Sequence, residues 1–387
     1  MKKIITAALV LSSFNTFAAP GSKFLAINSK IYNKIGHLLK NSPATLSTNK
    51  DVTIIKVPDS QVEEVSAVIH KQLNRCGGFM AHDSLAQAQE TFKNTNLATV
   101  DPLIEYVINQ QGTVQEMVND VKEINIREMI ASLSNFETRF YTSKTGIESS
   151  EYIKKTWEKL SKHRSDVKVE MFKHKAFPQG SIIMTIVGYE KPEEVIILGG
   201  HADSISDEHL APGADDNASG IASITETIRV LMSHDFRPKR TIQFMAYAAE
   251  EVGLFGSQEI SRSFRTNKSN VIGVMQLDMT LFKGSADKDI VLISDYTNKE
   301  QNLFLGKLVD EYVKVPWGYS KCGYACSDHA SWSAVGYPAS FPFEATFGDY
   351  SPYIHTSADT LENYGDDASH SVKFSKLATA FVVEMSN

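Results

Sequence analysis

Apolar and polar positions change period several times along the chain, and each change predicts an element. Val52 to Val57 alternates as a half-buried strand does, and Ser60 to Leu73 then carries Val62, Val65, Val68 and Ile69 on one helical face. The Cys76-Gly77-Gly78 run breaks that pattern. From Leu85 to Gln111 the chain turns to Asn, Gln and Thr, the composition of an exposed connection open to proteolysis. Beyond it, helical spacing runs through Asn125 to Leu133 and Ser149 to Leu160, and strand patterns through Val167 to Phe172, Ser181 to Val187 and Glu194 to Leu198. Ala218 to Ser233 reads as an amphipathic helix, with Ile221, Ile224, Ile228 and Leu231 on its apolar side. Thr241 to Tyr247 and Val271 to Leu277 are two further buried strands.

Strands alternating with helices predict an α/β fold: a mainly parallel central sheet with helices on both faces, preceded by a small α/β prosegment. The boundaries read as 1–18 for a signal peptide, 19–100 for the prosegment and 101–387 for the catalytic domain. Residues 1–18 run in the order the export machinery reads, from Lys2-Lys3 through an apolar stretch to Thr16-Phe17-Ala18. That predicts a secreted protein, extracellular and reached by way of a periplasm where there is one, with no membrane span. The net charge of −7 argues against a chain built to bind nucleic acid.

Export also bears on the three cysteines. Cys322 and Cys326 can close a tight disulfide in an oxidising compartment, with a redox pair or half a zinc site as the competing readings. Cys76 is left over, and removal of its segment would remove the odd thiol.

The apolar strands share a regularity. Three of them run out at their carboxyl ends onto His201, onto Glu250 with Glu251, and onto Asp278. That edge is where open α/β sheets bind ligands. With Asp203, Asp215, Asp216 and the distant His355, these groups form a set rich in carboxylates. Two carboxylates about 4 Å apart repel by roughly 4 kcal/mol at an effective dielectric near 20, so such a cluster needs positive charge among it. Imidazoles mixed with carboxylates suit zinc, whereas calcium and magnesium prefer oxygen alone. The ligand set is too large for one open ion and right for two sharing a carboxylate. Adjacent Glu250 and Glu251 point opposite ways in an extended backbone, so one would bind metal and the other act as a general base.

The motifs Gly199 to Ser204, Ala211 to Gly220, Ala246 to Leu254, Leu277 to Thr280, Cys322 to Trp332 and Ile354 to Thr356 resemble, in order, those of the dinuclear zinc aminopeptidases of the secreted bacterial leucyl aminopeptidase family. The likeness runs over residues 125–385. It implies two zinc ions per chain, one on His201 and Asp278, the other on Glu251 and His355, with Asp215 bridging. It implies Asp203 orienting His201, a cis peptide at the Asp215-Asp216 pair, Glu250 as general base, and Tyr324, held between Cys322 and Cys326, donating to the tetrahedral intermediate. Met279, Ile293, Phe343, Phe347, Tyr350 and Ile354 match positions of an apolar side-chain pocket, and for each a plain core role is the alternative.

The function so implied is removal of large apolar, leucine-like residues from peptide or protein N-termini by a monomer, with the prosegment aiding folding or covering the cleft. Two departures stand out: the short loop Ile205 to Leu210, and Asn217 where a third Asp often follows, a residue expected to be neither ligand nor support. The rivals are another zinc exopeptidase, such as a carboxypeptidase or dipeptidase, and a non-catalytic binding protein on the same scaffold. The first would need a basic group for the substrate carboxylate, and none lies in the metal motifs. The second would have lost ligands or the base, and all are present.

Overall fold

The structure, a computed structural model, describes residues 21–73, 75, 78–94 and 105–387. The expected signal peptide, Cys76 and residues 95–104 of the expected connection lie outside the described residues. Four short strands come first: β1 (Ser22–Asn28), β2 (Ala44–Thr48), β3 (Val52–Pro58) and β4 (Phe79–His82). They pair antiparallel in the order β2-β3-β1-β4. Helices α1 (Ser29–Ile35), α2 (Val62–Leu73) and α3 (Leu85–Asn94) pack on them. The last is a correction, because the stretch from Leu85 was expected to be exposed connection. Leu85 and Ala88 bury against Phe24 and Ile54, and that small apolar face is enough to order a helix among its polar residues.

The larger unit carries helices α4 (Gln111–Asn119), α5 (Glu123–Ser134), α6 (Lys144–Ser161), α7 (Gly220–Ser233), α8 (Phe255–Thr266), α9 (Lys299–Leu308), α10 (His329–Ala334) and α11 (Ser369–Met385). Its strands are β5 (Val167–Phe172), β6 (Ser181–Ile186), β7 (Lys191–His201), β8 (Arg240–Tyr247), β9 (Asn270–Gln276), β10 (Ile290–Ile293), β11 (Trp317–Ser320), β12 (Ala339–Ser340) and β13 (Pro342–Phe343). The six-stranded sheet runs β12-β9-β7-β8-β6-β5. Its first four strands are mutually parallel, and β6 and β5 close the other edge antiparallel. A second small sheet, β11-β10-β13, stands beside it.

Alternation along the central strands decides which helices cover which face. Ile196 and Leu198 of β7, with Ile242 and Phe244 of β8, pack against Ile221, Ile224 and Ile228 of α7 and Phe374, Leu377 and Phe381 of α11. Ile197 and Met245 point the other way, against Ile260 of α8 and Trp332 of α10. Helices therefore lie on both faces of the sheet. The register sets His201 opposite Tyr247 and Gly199 opposite Gln276, so the carboxyl ends of β7, β8 and β9 finish side by side. Among the described residues no helix is long and apolar enough to cross a membrane.

Candidate metal centre and substrate cleft

Where those three strands end, the chain leaves the sheet through loops that carry acids. His201 is the last residue of β7, Glu250 and Glu251 follow β8, and Asp278 follows β9. Three residues here hold left-handed backbone without being glycine: Ala249 (φ 57°) before Glu250, Met279 (φ 58°) after Asp278, and His355 itself (φ 58°). Such conformations cost of order 1–3 kcal/mol each and persist where packing fixes them, as it does around a functional site.

Asp216 stands at the middle. Its Oδ1 lies 3.0 Å from His201 Nε2 and its Oδ2 3.0 Å from His355 Nε2. Asp278 Oδ1 is 3.3 Å from His201 Nε2, and Glu251 Oε2 is 3.3 Å from His355 Nε2. Two sets of candidate ligands thus meet through one carboxylate, and each set is wholly buried.

The bridging place expected for Asp215 is therefore taken by Asp216. Asp215 turns the other way. Its Oδ1 accepts from the Leu281 N–H (2.9 Å) and the Ser219 hydroxyl (3.2 Å), and it shares a hydrogen bond with Glu344. Burial, and then the adjoining Asp215 carboxylate, push Glu344 well above the usual range. The cis peptide likewise falls one bond later than expected, at Asp216-Asn217.

Asn217, expected to be idle, is a support. Its Nδ2 donates to the Leu277 carbonyl (3.0 Å), and its Oδ1 accepts from the Gly220 N–H (2.9 Å) and the Met279 N–H (3.3 Å). The side chain staples the Asp216 loop to the end of β9. Gly220 permits the approach, since a Cβ there would meet the Leu277 carbonyl oxygen at 2.4 Å.

Asp203 lies fully buried behind the cluster. Its Oδ1 and Oδ2 accept from the Glu250 and Glu251 N–H groups (3.0 and 3.2 Å), and Oδ1 is 3.4 Å from His201 Nδ1. Glu250 is also buried, and burial pushes its carboxyl well above the usual range. Two supports carried no sequence signal. Asp359 takes the Asp215 and Asp216 N–H groups (2.9 and 3.1 Å) and the Tyr364 hydroxyl (2.7 Å). Arg139, 1 % exposed, donates to the carbonyls of Leu133, Ala202, Pro212 and Gly213, and so ties the two halves of the loop together. Burial holds its guanidinium down at about 10.

Burial opposes protonation of His355, yet Glu251 and Asp216 outweigh it and hold the ring up at about 10. The cluster attracts whatever positive charge is available. His201 Nε2, His355 Nε2, Asp278 Oδ1 and both Glu251 carboxylate oxygens are buried without a hydrogen-bond partner. Convergent imidazole nitrogens and carboxylate oxygens are a donor set that fits zinc, which would replace the protons the cluster draws in.

Beside the cluster a pocket is lined by Asp278, Met279, Tyr324, Phe341, Phe343, Phe347, Tyr350 and Ile354. Five of the six expected pocket residues line it. Ile293 does not, because it is fully buried in the layer beneath, donating its N–H to the Phe341 carbonyl at 2.9 Å. Phe341 takes its place. Cys322 and Cys326 form a disulfide, which settles the three readings left open for the pair, and they hold Tyr324 between them on the pocket wall. The N-terminal unit also reaches the cleft: His70 stacks on His355 at 4.1 Å between centroids, and Arg75 lies over the Tyr324 ring at 5.4 Å.

Residues 181–380 match the model of peptidase family M28. A probable aminopeptidase of Saccharomyces cerevisiae is 30 % identical over 345 residues, 86 % of this chain and 92 % of its own. A probable leucine aminopeptidase of Trichophyton verrucosum is 36 % identical over 288 residues, 72 % of this chain and 77 % of its own. The crystal structure of the Legionella pneumophila LapA aminopeptidase superposes with a TM-score of 0.82 at 31 % identity, covering 95 % of this chain and 99 % of that one. With family model, relatives and fold in agreement, the chain belongs to peptidase family M28 as an aminopeptidase of the leucyl aminopeptidase kind.

Proposed function

We propose that the chain is a secreted aminopeptidase that uses two zinc ions to remove large apolar residues from peptide N-termini. The observation that carries this is Asp216, whose two oxygens each lie 3.0 Å from a different histidine, with Asp278 on one side and Glu251 on the other. His201 and Asp278 would hold one ion, His355 and Glu251 the other, and Asp216 both. When bound, the ions polarise the scissile carbonyl and lower the pKa of water towards about 7.

The chain's own residues supply the rest. Glu250 takes the proton of the attacking water and returns it to the leaving amine, a role matched to a carboxyl raised by burial. Asp203 fixes the backbone of Glu250 and Glu251 with one oxygen each, so base and ligand keep opposite orientations. Tyr324 offers its hydroxyl to the tetrahedral centre from the disulfide loop. The pocket of Met279, Phe341, Phe343, Phe347, Tyr350 and Ile354 is apolar, which favours leucine-like first residues.

Metal content and leucine-4-nitroanilide hydrolysis test this together. Two zinc ions per chain, activity after removal of the N-terminal unit, and loss of 10²- to 10⁴-fold in kcat for Glu250→Ala are expected. Metal-replete protein that leaves this substrate intact while trimming peptides from their carboxyl ends would overturn the assignment.

A further inference from the structure

Helix α2 of the N-terminal unit carries a buried polar pair that its amphipathic pattern does not need. Ser66 and His70 are four residues apart and therefore share a face, and both are buried, at 0 % and 4 % exposure. That face rests on the candidate metal centre. Ser66 Oγ donates to the Glu251 carbonyl (2.6 Å), and His70 Nε2 lies 3.9 Å from Glu251 Oε2. His70, Glu251 and His355 each turn one ligand atom to a common point, all within 4.8 Å of one another.

Resting on the dinuclear reading above, we infer that His70 is a further ligand of the metal position held by Glu251 and His355, and that it closes this position in the uncleaved chain. A hydrolytic zinc site keeps one coordination place open for water or substrate, and a site filled by protein groups does not turn over. Glu251, His355 and the shared Asp216 would leave such a place, and His70 Nε2 lies 3.9 Å from Glu251 Oε2 in the same buried group.

Further contacts keep α2 and its unit there. Tyr141 donates its hydroxyl to Glu63 (2.7 Å), Asn28 Nδ2 donates to the Gly323 carbonyl in the disulfide loop (2.6 Å), and Gln258 Nε2 donates to the Ala81 carbonyl (3.1 Å). Five residues beyond His70, the Arg75 guanidinium lies 5.4 and 5.6 Å from the Tyr324 and Phe347 rings, in the side-chain pocket. One short segment thus occupies the metal position and the specificity pocket at once.

Cobalt-substituted full-length chain tests the inference without recourse to activity. X-ray absorption should count three imidazoles over two metals in the wild type and two in His70→Ala. Transfer of metal to a chelator should become at least about ten-fold faster for one of the two ions, since even outer partners of ligands change metal affinity by 10–100-fold. His70→Phe keeps the stack on His355 and the volume of the ring but cannot ligate, and should behave as His70→Ala does. Equal imidazole counts and equal transfer rates in wild type and both variants would overturn the inference and leave the dinuclear reading standing. Fewer than two metals per chain in every form, with or without the N-terminal unit, would overturn both.

Discussion

Asp215 and Asp216 are neighbours of the same chemistry, and the structure gives them opposite duties, so paired Asn substitutions separate the two. In Asp216→Asn one of two histidine-facing oxygens becomes an NH₂ group. Both oxygens of Asp216 lie 3.0 Å from a histidine nitrogen, so whichever way the amide turns, one metal set loses an acceptor and meets donor hydrogens instead. Loss of a direct ligand should weaken that ion by at least the upper end of the effect of an outer partner, about 100-fold or roughly 2.7 kcal/mol. Asp215→Asn keeps its carbonyl oxygen for Leu281 and Ser219, and its new NH₂ can donate to Glu344. Activity should then stay within a few-fold. Both variants would be passed through a metal-free desalting column, their zinc counted, and leucine-4-nitroanilide hydrolysis followed with and without added zinc. Retention of two ions by Asp216→Asn, with loss of one by Asp215→Asn, would refute the assignment and restore the bridge to Asp215.

Three further outcomes follow from the same geometry. Asp203→Asn leaves only one oxygen for two N–H groups, and should lower zinc affinity 10–100-fold in a competition titration while the fold survives by circular dichroism. Arg139→Met removes one hydrogen bond from each of four buried carbonyls at about 1 kcal/mol each, so urea unfolding should show a loss of about 4 kcal/mol, and a loss under 1 kcal/mol would contradict it. His329 is fully buried, and burial pushes its ring down to about 3 in the folded chain against an ordinary value near 6.5. The unfolded chain takes up that proton below about pH 6.5 and the folded chain does not, so this term is fully present above pH 6.5. It falls by roughly 1.4 kcal/mol per pH unit down to about pH 3. His329→Gln should flatten the stability-pH slope by one proton over that window, and an unchanged slope would rule the term out.

Much of the centre could be read in the sequence because it sits where periodicity is strongest. Strands β7, β8 and β9 are mainly apolar towards their carboxyl ends, and each ends on or is followed within a few residues by an acid or imidazole; parallel pairing then does the assembly, since residues at equivalent ends finish together. The parts that escaped have no periodic signal of their own. Strands β12 and β13 are two residues each, too short to show alternation. Helix α11 is buried around most of its circumference where it passes under the sheet, which hides the polar stripe that marks a surface helix. Asp359 and Arg139 act through backbone groups of a loop distant in sequence, and a lone Asp or Arg between other polar residues says nothing of that.

The exchange of Asp215 for Asp216 shows where such reading stops. A motif names a pair of aspartates but not the turn that orients them, and successive side chains on a bent backbone diverge. Here the turn is set by Asp359 drawing in two N–H groups from one side and Asn217 gripping Leu277 and Met279 from the other. Only between those two anchors does Asp216 face both histidines. His70 poses the same problem at longer range. Its spacing from Ser66 puts both on one face of a helix, yet a polar face on an amphipathic helix ordinarily meets water. That this one meets Glu251 and His355 depends on how the N-terminal unit packs on the larger one, through Asn28, Glu63 and Ala81, and none of those contacts has a local signature. His70 is therefore placed by contacts far apart in the chain, while His201, Glu251 and Asp278 end or closely follow apolar strands.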